Sequence, residues 1–400
     1  MTASPFPVLR LKPKADARRI RHGHPFVWSD ELVLDRRARG VAPGAIAVLE
    51  DGERQPLAIG TASVEAKIGF RVLDRDPGAT LDGDWLRARL SAALALRARL
   101  FDAPFYRLVH AEGDALPGLI VDRFGDVLVL QPNAIWLEER LDQITAILTD
   151  LTGATTVIKN GQSRVRAQEG LPEESATLTG TAPDAALPVQ MTGATYLADV
   201  TGGQKTGLFY DQRPNHAFVA GLARGARVLD VFAHVGGFGL AALAGGAESA
   251  LAVDASAPAL ALAEQGAAAM GQGARFETRQ GDAFAVLEAM AEEPARFDIV
   301  IADPPAFAPS KSALTQGLRA YERIARLAAP LVAPGGTLVL CSCSHAADLG
   351  KFRAACLRGI GRAGRDPRLI YTGFAGPDHP QHPALTETGY LKALAFRLLP

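Results

Sequence analysis

The second half of the chain alternates short apolar runs with longer segments of helical period. Arg227–Val231, Ala250–Asp254, Arg275–Thr278, Asp298–Asp303 and Thr337–Cys341 are short runs with strand character. Pro258–Met270, Ala283–Met290 and Leu318–Leu331 carry apolar residues every three or four positions, as a helix with one buried face does. A glycine-rich turn and an Ala-rich helix follow the first strand. Strands alternating with helices predict a parallel sheet covered on both faces.

The first half has a different rhythm. Val8–Lys12 alternates, Ile46–Glu50 is bounded by Pro43-Gly44 and Asp51-Gly52, and Leu57–Ala62 follows, so residues 1–74 read as a small β-rich unit. Trp85–Phe101 and Leu137–Leu151 have helical spacing. Gly118–Phe124 and Asp126–Leu130 flank Gly125 as a hairpin, and Thr155–Lys159 is a further strand. Gly170–Leu187 is rich in Pro, Glu, Thr, Ala and Gly without a clear period, and reads as a loop-rich boundary. The expected division is 1–74, then a mixed α/β unit over 75–188, then the alternating domain over 189–400.

Composition narrows the class. In 400 residues, 48% are hydrophobic and 21% charged, which suits a globular protein of two or three domains. The net charge of −1 gives no global signature of a nucleic-acid partner, so any basic surface must be local. One basic run exists: Arg10, Lys12, Lys14, Arg18, Arg19 and Arg21 face only Asp16, a pattern that suits phosphate contact or a solvated surface. Three cysteines, Cys341, Cys343 and Cys356, are too few and too irregular for a disulfide framework or a metal site. No apolar run is long enough to span a membrane, and no signal segment opens the chain. A cytoplasmic enzyme without a metal is the expectation.

In an open sheet of this kind, ligands bind beyond the carboxyl ends of the strands. The first strand ends Asp230-Val231-Phe232 and runs into Gly236-Gly237-Phe238-Gly239, whose glycines let backbone approach a ligand. The second ends at Asp254, where an acid can accept both ribose hydroxyls of a nucleoside. Gly281-Asp282 follows the third and could hold an adenine amino group. The fourth ends Asp303-Pro304-Pro305, an acid on a rigid exit. Asp254 or Asp282 alone would serve equally as a helix N-cap. The fifth ends Cys341-Ser342-Cys343-Ser344-His345. A thiolate that adds to carbon 6 of a pyrimidine makes carbon 5 electron-rich enough to take a methyl group. Either cysteine is alternatively a small buried apolar residue, and in a strand the two would face the same side.

Asp230, the Gly236–Gly239 turn, Asp254, Asp282 and Asp303-Pro304-Pro305 resemble the motif series of class I S-adenosylmethionine-dependent methyltransferases. That resemblance implies a Rossmann-like sheet. It places the glycine turn under the methionine part of the cofactor, Asp254 at the ribose, and Asp282 with Ala283 near the adenine. Nearly the whole chain resembles the PUA-domain-containing cytosine-C5 methyltransferases of large-subunit (23S) ribosomal RNA. By this likeness residues 1–74 are a small RNA-binding β-barrel, the PUA domain. Gly203-Gln204-Lys205-Thr206-Gly207 and Asp211-Gln212-Arg213 match the segment that contacts the cofactor before the core. Asp303-Pro304-Pro305 with Phe307, Lys311-Ser312 and the closing Gly389-Tyr390-Leu391-Lys392 strand match further motifs, and Ser342-Cys343-Ser344 selects Cys343 as nucleophile.

The site implied by the resemblance therefore has Cys343 and Asp303 as catalytic pair. Gln212, Arg213, Asp230, Phe232, Gly236 and Gly237 lie on the cofactor, as do Asp254, Asp282, Ala283 and Asp303. Val235 lacks the hydroxyl that relatives place before the glycines, and Ala306 stands where a Lys is usual. His345 reads as a solvated cap. Uracil-C5 methylation uses the same covalent logic. Guanine-N7 methylation needs no thiol, and its relatives carry Asn at the position of Cys343. A small-molecule methyltransferase would leave residues 1–188 unexplained. A non-catalytic RNA-binding assembly factor would not need an intact cofactor pocket. The resemblance also admits a homodimer.

Overall fold

The computed structural model describes residues 5–202 and 206–400. They form two compact units. One holds the residues through Ala182 together with Asp378–Leu385, and the other holds Pro183–Pro377 with Thr386–Pro400.

In the first unit, Val8–Arg10, Ile46–Glu50, Pro56–Ala62, Ile68–Asp74 and Phe26–Trp28 make a five-stranded sheet in that spatial order. Leu11 bridges Leu32, linking the chain beyond one edge strand to the chain beyond the other, as the expected small barrel requires. Leu9, Leu49, Val27 and Phe70 fill its interior. The expected phosphate-facing run is largely occupied: Arg10 pairs with Glu50 at 3.6 Å, Arg21 with Asp51 at 2.6 Å and Arg19 with Glu31, and Lys12 Nζ donates to the Asp30 carbonyl. Lys14 and Arg18 are exposed and carry no ion pair among the described residues.

A second five-stranded sheet runs Ala176–Thr179, Thr156–Lys159, Val127–Pro132, Leu119–Phe124, Phe105–His110. The loop-rich stretch expected over 170–187 thus contains a strand, Ala176–Thr179, antiparallel to Thr156–Lys159. Cross-strand pairing confers order there without an apolar pattern. The helix expected over 137–151 is two helices, Ile135–Glu138 and Leu141–Thr152. Helix Gly83–Leu100 buries Arg97 completely, and its guanidinium grips Asp114 through two bonds of 2.6 and 2.8 Å.

The second unit is built on seven strands: β1 (Arg227–Val231), β2 (Ser249–Asp254), β3 (Phe276–Gln280), β4 (Phe297–Ala302), β5 (Val332–Ser342), β6 (Pro367–Gly373) and β7 (Lys392–Leu398). Their order is β3-β2-β1-β4-β5-β7-β6. The first five are parallel, and β7 runs antiparallel between β5 and β6. Helices α1 (Arg213–Leu222), α2 (Gly237–Ala244), α3 (Ala257–Ala269), α4 (Ala283–Ala291), α5 (Leu314–Ala328) and α6 (Leu349–Arg362) complete the Rossmann-like fold. A hairpin, Leu187–Met191 with Ala194–Ala198, precedes them.

The strand expected over Thr337–Cys341 is longer: β5 starts at Val332 and takes in Pro334-Gly335-Gly336, where its register with β4 slips between Phe297 and Ile299. The closing strand begins at Lys392, because Thr386–Gly389 forms a 3-10 turn. The strand order reverses between β1 and β4, and both run outward to the same end of the sheet, which is the crevice such sheets offer to ligands.

Candidate active site

The crevice opens where β1 hands over to α2. Phe232 (φ 63°), His234 (φ 50°) and Gly236 (φ 81°) all have left-handed backbone. Such strain persists only where surrounding bonds enforce it. Two carboxylates do so. Asp254, the last residue of β2, accepts the His234 N–H at 2.8 Å and the Ser256 N–H at 2.9 Å. Asp230, 1% exposed, accepts the Gly239 N–H at 2.8 Å. Burial pushes the Asp230 carboxyl up to about 7, and its second oxygen has no partner among the described residues. Asp230 therefore shapes the turn from beneath. The turn has no room for a side chain at Gly236, where a Cβ would come within 3.0 Å of Ala263 and Leu240. At Gly237 a Cβ would meet His216 Nε2 at 2.9 Å. Tyr196, from the hairpin, donates its hydroxyl to the Gly237 carbonyl.

Beyond the turn stands an aromatic wall. Phe232 meets Phe284 and Phe307 edge-on, with centroids 6.5 and 6.3 Å apart, and Phe307 continues to Tyr321 at 5.0 Å. These three phenylalanines are half-buried, so the wall keeps an open apolar face. Phe284 was not among the expected site residues. Its only sequence signal is its place in the first turn of α4, next to Ala283. Asp282 is exposed and caps α4, its Oδ1 accepting the Ala285 N–H at 3.0 Å. Asp282 thus takes the capping role open to an acid at this place, and Ala283 is buried.

Asp303 follows β4 directly, its N–H bonded to the Val231 carbonyl at 3.2 Å across the β1–β4 junction. Its Oδ2 accepts Nε2 of Gln212 at 2.9 Å. Gln212 is 3% exposed, and its Oε1 takes the Asn215 amide at 2.6 Å. Arg213 lies over the Tyr210 ring, 5.6 Å from its centroid. Gly203-Gln204-Lys205 lies outside the described residues.

Cys343 sits one residue past β5, so it is released from strand alternation and does not share a face with Cys341 by that rule. The turn carrying it is tightly bonded. Tyr321 Oη lies 2.8 Å from both Ser342 Oγ and Ser344 Oγ, and Ser344 Oγ accepts the Ala308 N–H at 2.9 Å. The two serines are fully buried, whereas Cys343 is half-exposed with Sγ 4.0 Å from the Pro304 carbonyl. Cys341 is 1% exposed, and burial first, then Asp303, drives its thiol well above the ordinary range. It stays protonated. Cys356 is buried in α6. His345 is exposed.

A carboxylate at the end of β2, an open aromatic wall and a glycine turn too tight for side chains fit S-adenosylmethionine. Among the described residues no cluster of three or more His, Cys, Asp or Glu is placed to hold a metal. No helix among them is long and apolar enough to cross a membrane.

Residues 106–397 match the family described as S-adenosylmethionine-dependent methyltransferase, and residues 9–75 match a PUA-like domain. The chain is 36% identical over 409 residues to the ribosomal RNA large subunit methyltransferase of Deinococcus radiodurans, covering 99% of each. It is 35% identical over 390 residues to the ribosomal RNA large subunit methyltransferase I of Photobacterium profundum, covering 96% of this chain and 97% of the relative. Two solved structures share the fold at 18% identity, each covering 98% of this chain and 99% of the other. One is a methyltransferase complexed with SAH, TM-score 0.82, and the other an S-adenosylmethionine-dependent methyltransferase from Streptococcus mutans, TM-score 0.81.

Proposed function

Because the chain belongs to the S-adenosylmethionine-dependent methyltransferase family, we propose that it methylates carbon 5 of a cytidine in large-subunit (23S) ribosomal RNA through a covalent Cys343 adduct. The observation that carries this reading is the position of Cys343. It is the half-exposed thiol of the chain, on a braced turn near the Pro304 carbonyl, while the buried Cys341 is held as a thiol. Guanine-N7 chemistry has no use for such a group.

In the proposed cycle the target base leaves its stack and enters the crevice. Asp303, oriented by Gln212, holds the nitrogen edge of the ring. Cys343 attacks carbon 6, forming the S–C bond and placing the electron pair on carbon 5. Bound S-adenosylmethionine supplies the electrophilic methyl group that carbon 5 takes. Loss of the carbon-5 proton then re-forms the double bond and expels the Cys343 thiolate. Asp254 is assigned to the ribose, the Gly236-Gly237 turn to the methionine part, with Gln212 and Arg213 alongside. Ala283, Phe232 and Asp282 are assigned to the rim of the adenine pocket.

The working division is a PUA domain over 1–74, a central domain over 75–188 and a catalytic domain over 189–400, in a cytoplasmic enzyme. Relatives named as large-subunit ribosomal RNA methyltransferases over nearly full length support the RNA assignment. The test is nucleoside mass spectrometry on unmodified large-subunit RNA incubated with S-adenosylmethionine and either the native protein or Cys343→Ala. The expected result is 5-methylcytidine with the native protein alone. Methylation that persists in Cys343→Ala, or a different methylated nucleoside, overturns the reading.

A further inference from the structure

We propose that Lys392 is the positioning residue of the nucleophile: its buried ammonium anchors the Cys343 turn and favours the thiolate form of Cys343. The inference deepens the reading above and rests on Cys343 being the nucleophile.

Geometry brackets Cys343 between two contacts from one residue. Lys392 opens β7, and its Cα is paired with that of Ser342, the residue before Cys343. Its Nζ donates to the carbonyl of Ser344, the residue after Cys343, at 2.7 Å. Lys392 is 3% exposed, and no carboxylate lies within ion-pair distance of it among the described residues. Burying an ammonium without a counter-charge costs several kcal/mol, and a Leu or Met would fill the same space without that cost. A negative charge that forms on the turn for part of the cycle offsets that cost.

The charged and titratable neighbours leave Cys343 as that partner. Tyr321 bonds both serines of the turn, and burial pushes its hydroxyl up to about 12, so it stays neutral. Cys341 stays a thiol. Asp348 caps α6 and is neutralised by its own Lys351 at the surface. Burial draws the Lys392 ammonium down to about 8, while Cys343 and then Asp348 oppose that shift. The step assisted is simple: the S–H bond of Cys343 breaks, the proton goes to water, and the electron pair remains on sulfur, on the turn that the ammonium anchors. The same charge stabilises the thiolate when it is expelled at the end of the cycle.

The test titrates the thiol without RNA or cofactor. The rate of Cys343 alkylation by iodoacetamide is followed against pH in the full chain, with mass spectrometry to locate the adduct. The buried Cys341 and Cys356 are internal controls. The native midpoint is expected below about 8.5, the value of an unperturbed cysteine. Lys392→Gln keeps a donor for the Ser344 carbonyl but removes the charge. Its midpoint is expected about one unit higher, so alkylation at neutral pH falls about tenfold. Lys392→Arg is expected to stay near the native midpoint. Binding of S-adenosylhomocysteine reports that each variant is folded. A native midpoint at or above about 8.5 overturns the proposal without any variant. Equal midpoints in native and Lys392→Gln, or equal rises in the Gln and Arg variants, overturn it as well. Methylation surviving in Cys343→Ala overturns the nucleophile reading and this proposal with it. An unshifted midpoint beside Cys343-dependent methylation overturns the Lys392 role alone.

Discussion

Gln212 and Asp303, 91 positions apart, are joined by a 2.9 Å hydrogen bond from the Gln amide to the carboxylate Oδ2. The amide is itself fixed, since its oxygen receives the Asn215 side chain. Asp303 thus arrives at the crevice already oriented, which its proposed place at the base requires.

Removing either member should separate rate from binding. Asp303→Asn is expected to lower kcat about 100-fold, the range of a lost transition-state hydrogen bond to a charged group. S-adenosylhomocysteine affinity should change much less. Gln212→Leu, which leaves the carboxylate one bond short, should cost about 1–3 kcal/mol of the same barrier. Single-turnover methylation beside calorimetric binding checks both. An equal loss of cofactor affinity in Asp303→Asn would count against its place at the base.

Asp254→Ala should act on the cofactor. The substitution removes the proposed ribose acceptor and the bond that holds His234 at positive φ. S-adenosylhomocysteine binding is expected to weaken by about 2–3 kcal/mol, or about 30- to 150-fold. Unchanged affinity would remove Asp254 from the ribose.

Gly236→Ala tests the turn. An alanine there must adopt φ near +81° and press its Cβ against Ala263 and Leu240. The left-handed conformation alone costs about 1–2 kcal/mol. Chemical denaturation should show at least that loss, with weaker cofactor binding, whereas Gly271→Ala, also at positive φ but with open space around it, should lose stability alone.

His216 sets an acid limit on stability. It is 3% exposed, and burial, reinforced by Arg213, drives its imidazole down to about 3. Below about pH 6.5 the unfolded chain binds a proton that the folded chain refuses, so stability falls as pH drops from there toward 3. Asp230 works in the opposite sense. Its folded carboxyl, raised to about 7, keeps a proton that the unfolded chain releases near 4, a contribution lost as pH rises through 7. His216→Phe should therefore gain about 2 kcal/mol on the native protein between pH 8 and pH 5. Urea titrations at the two pH values check this, and a constant difference between native and variant would sink the assignment.

Much of the site was legible in one dimension. Strand–helix alternation put Asp230, Asp254, Asp282, Asp303 and Cys343 at or just beyond five strand ends, because periodicity is local and the carboxyl ends of parallel strands share one edge. The glycine turn was legible for the same reason: Gly236 answers a backbone demand made within its own turn. What each acid does there was not legible. Asp282 caps α4, as the capping alternative allowed, and Asp230 braces the turn, because each meets N–H groups of its own neighbourhood. Tertiary structure alone decided the partners that lie far apart in sequence. It set Gln212 on Asp303, Phe284 against Phe232, and the basic run of the first unit against Glu31, Glu50 and Asp51. It also inserted β7 antiparallel between β5 and β6, which brings Lys392 to the carbonyl of Ser344. Hydrophobic pattern records which face of an element is buried, but not which element covers it. Hydrogen bonds and charge pairs form over about 3–4 Å, and only the folded chain sets those distances.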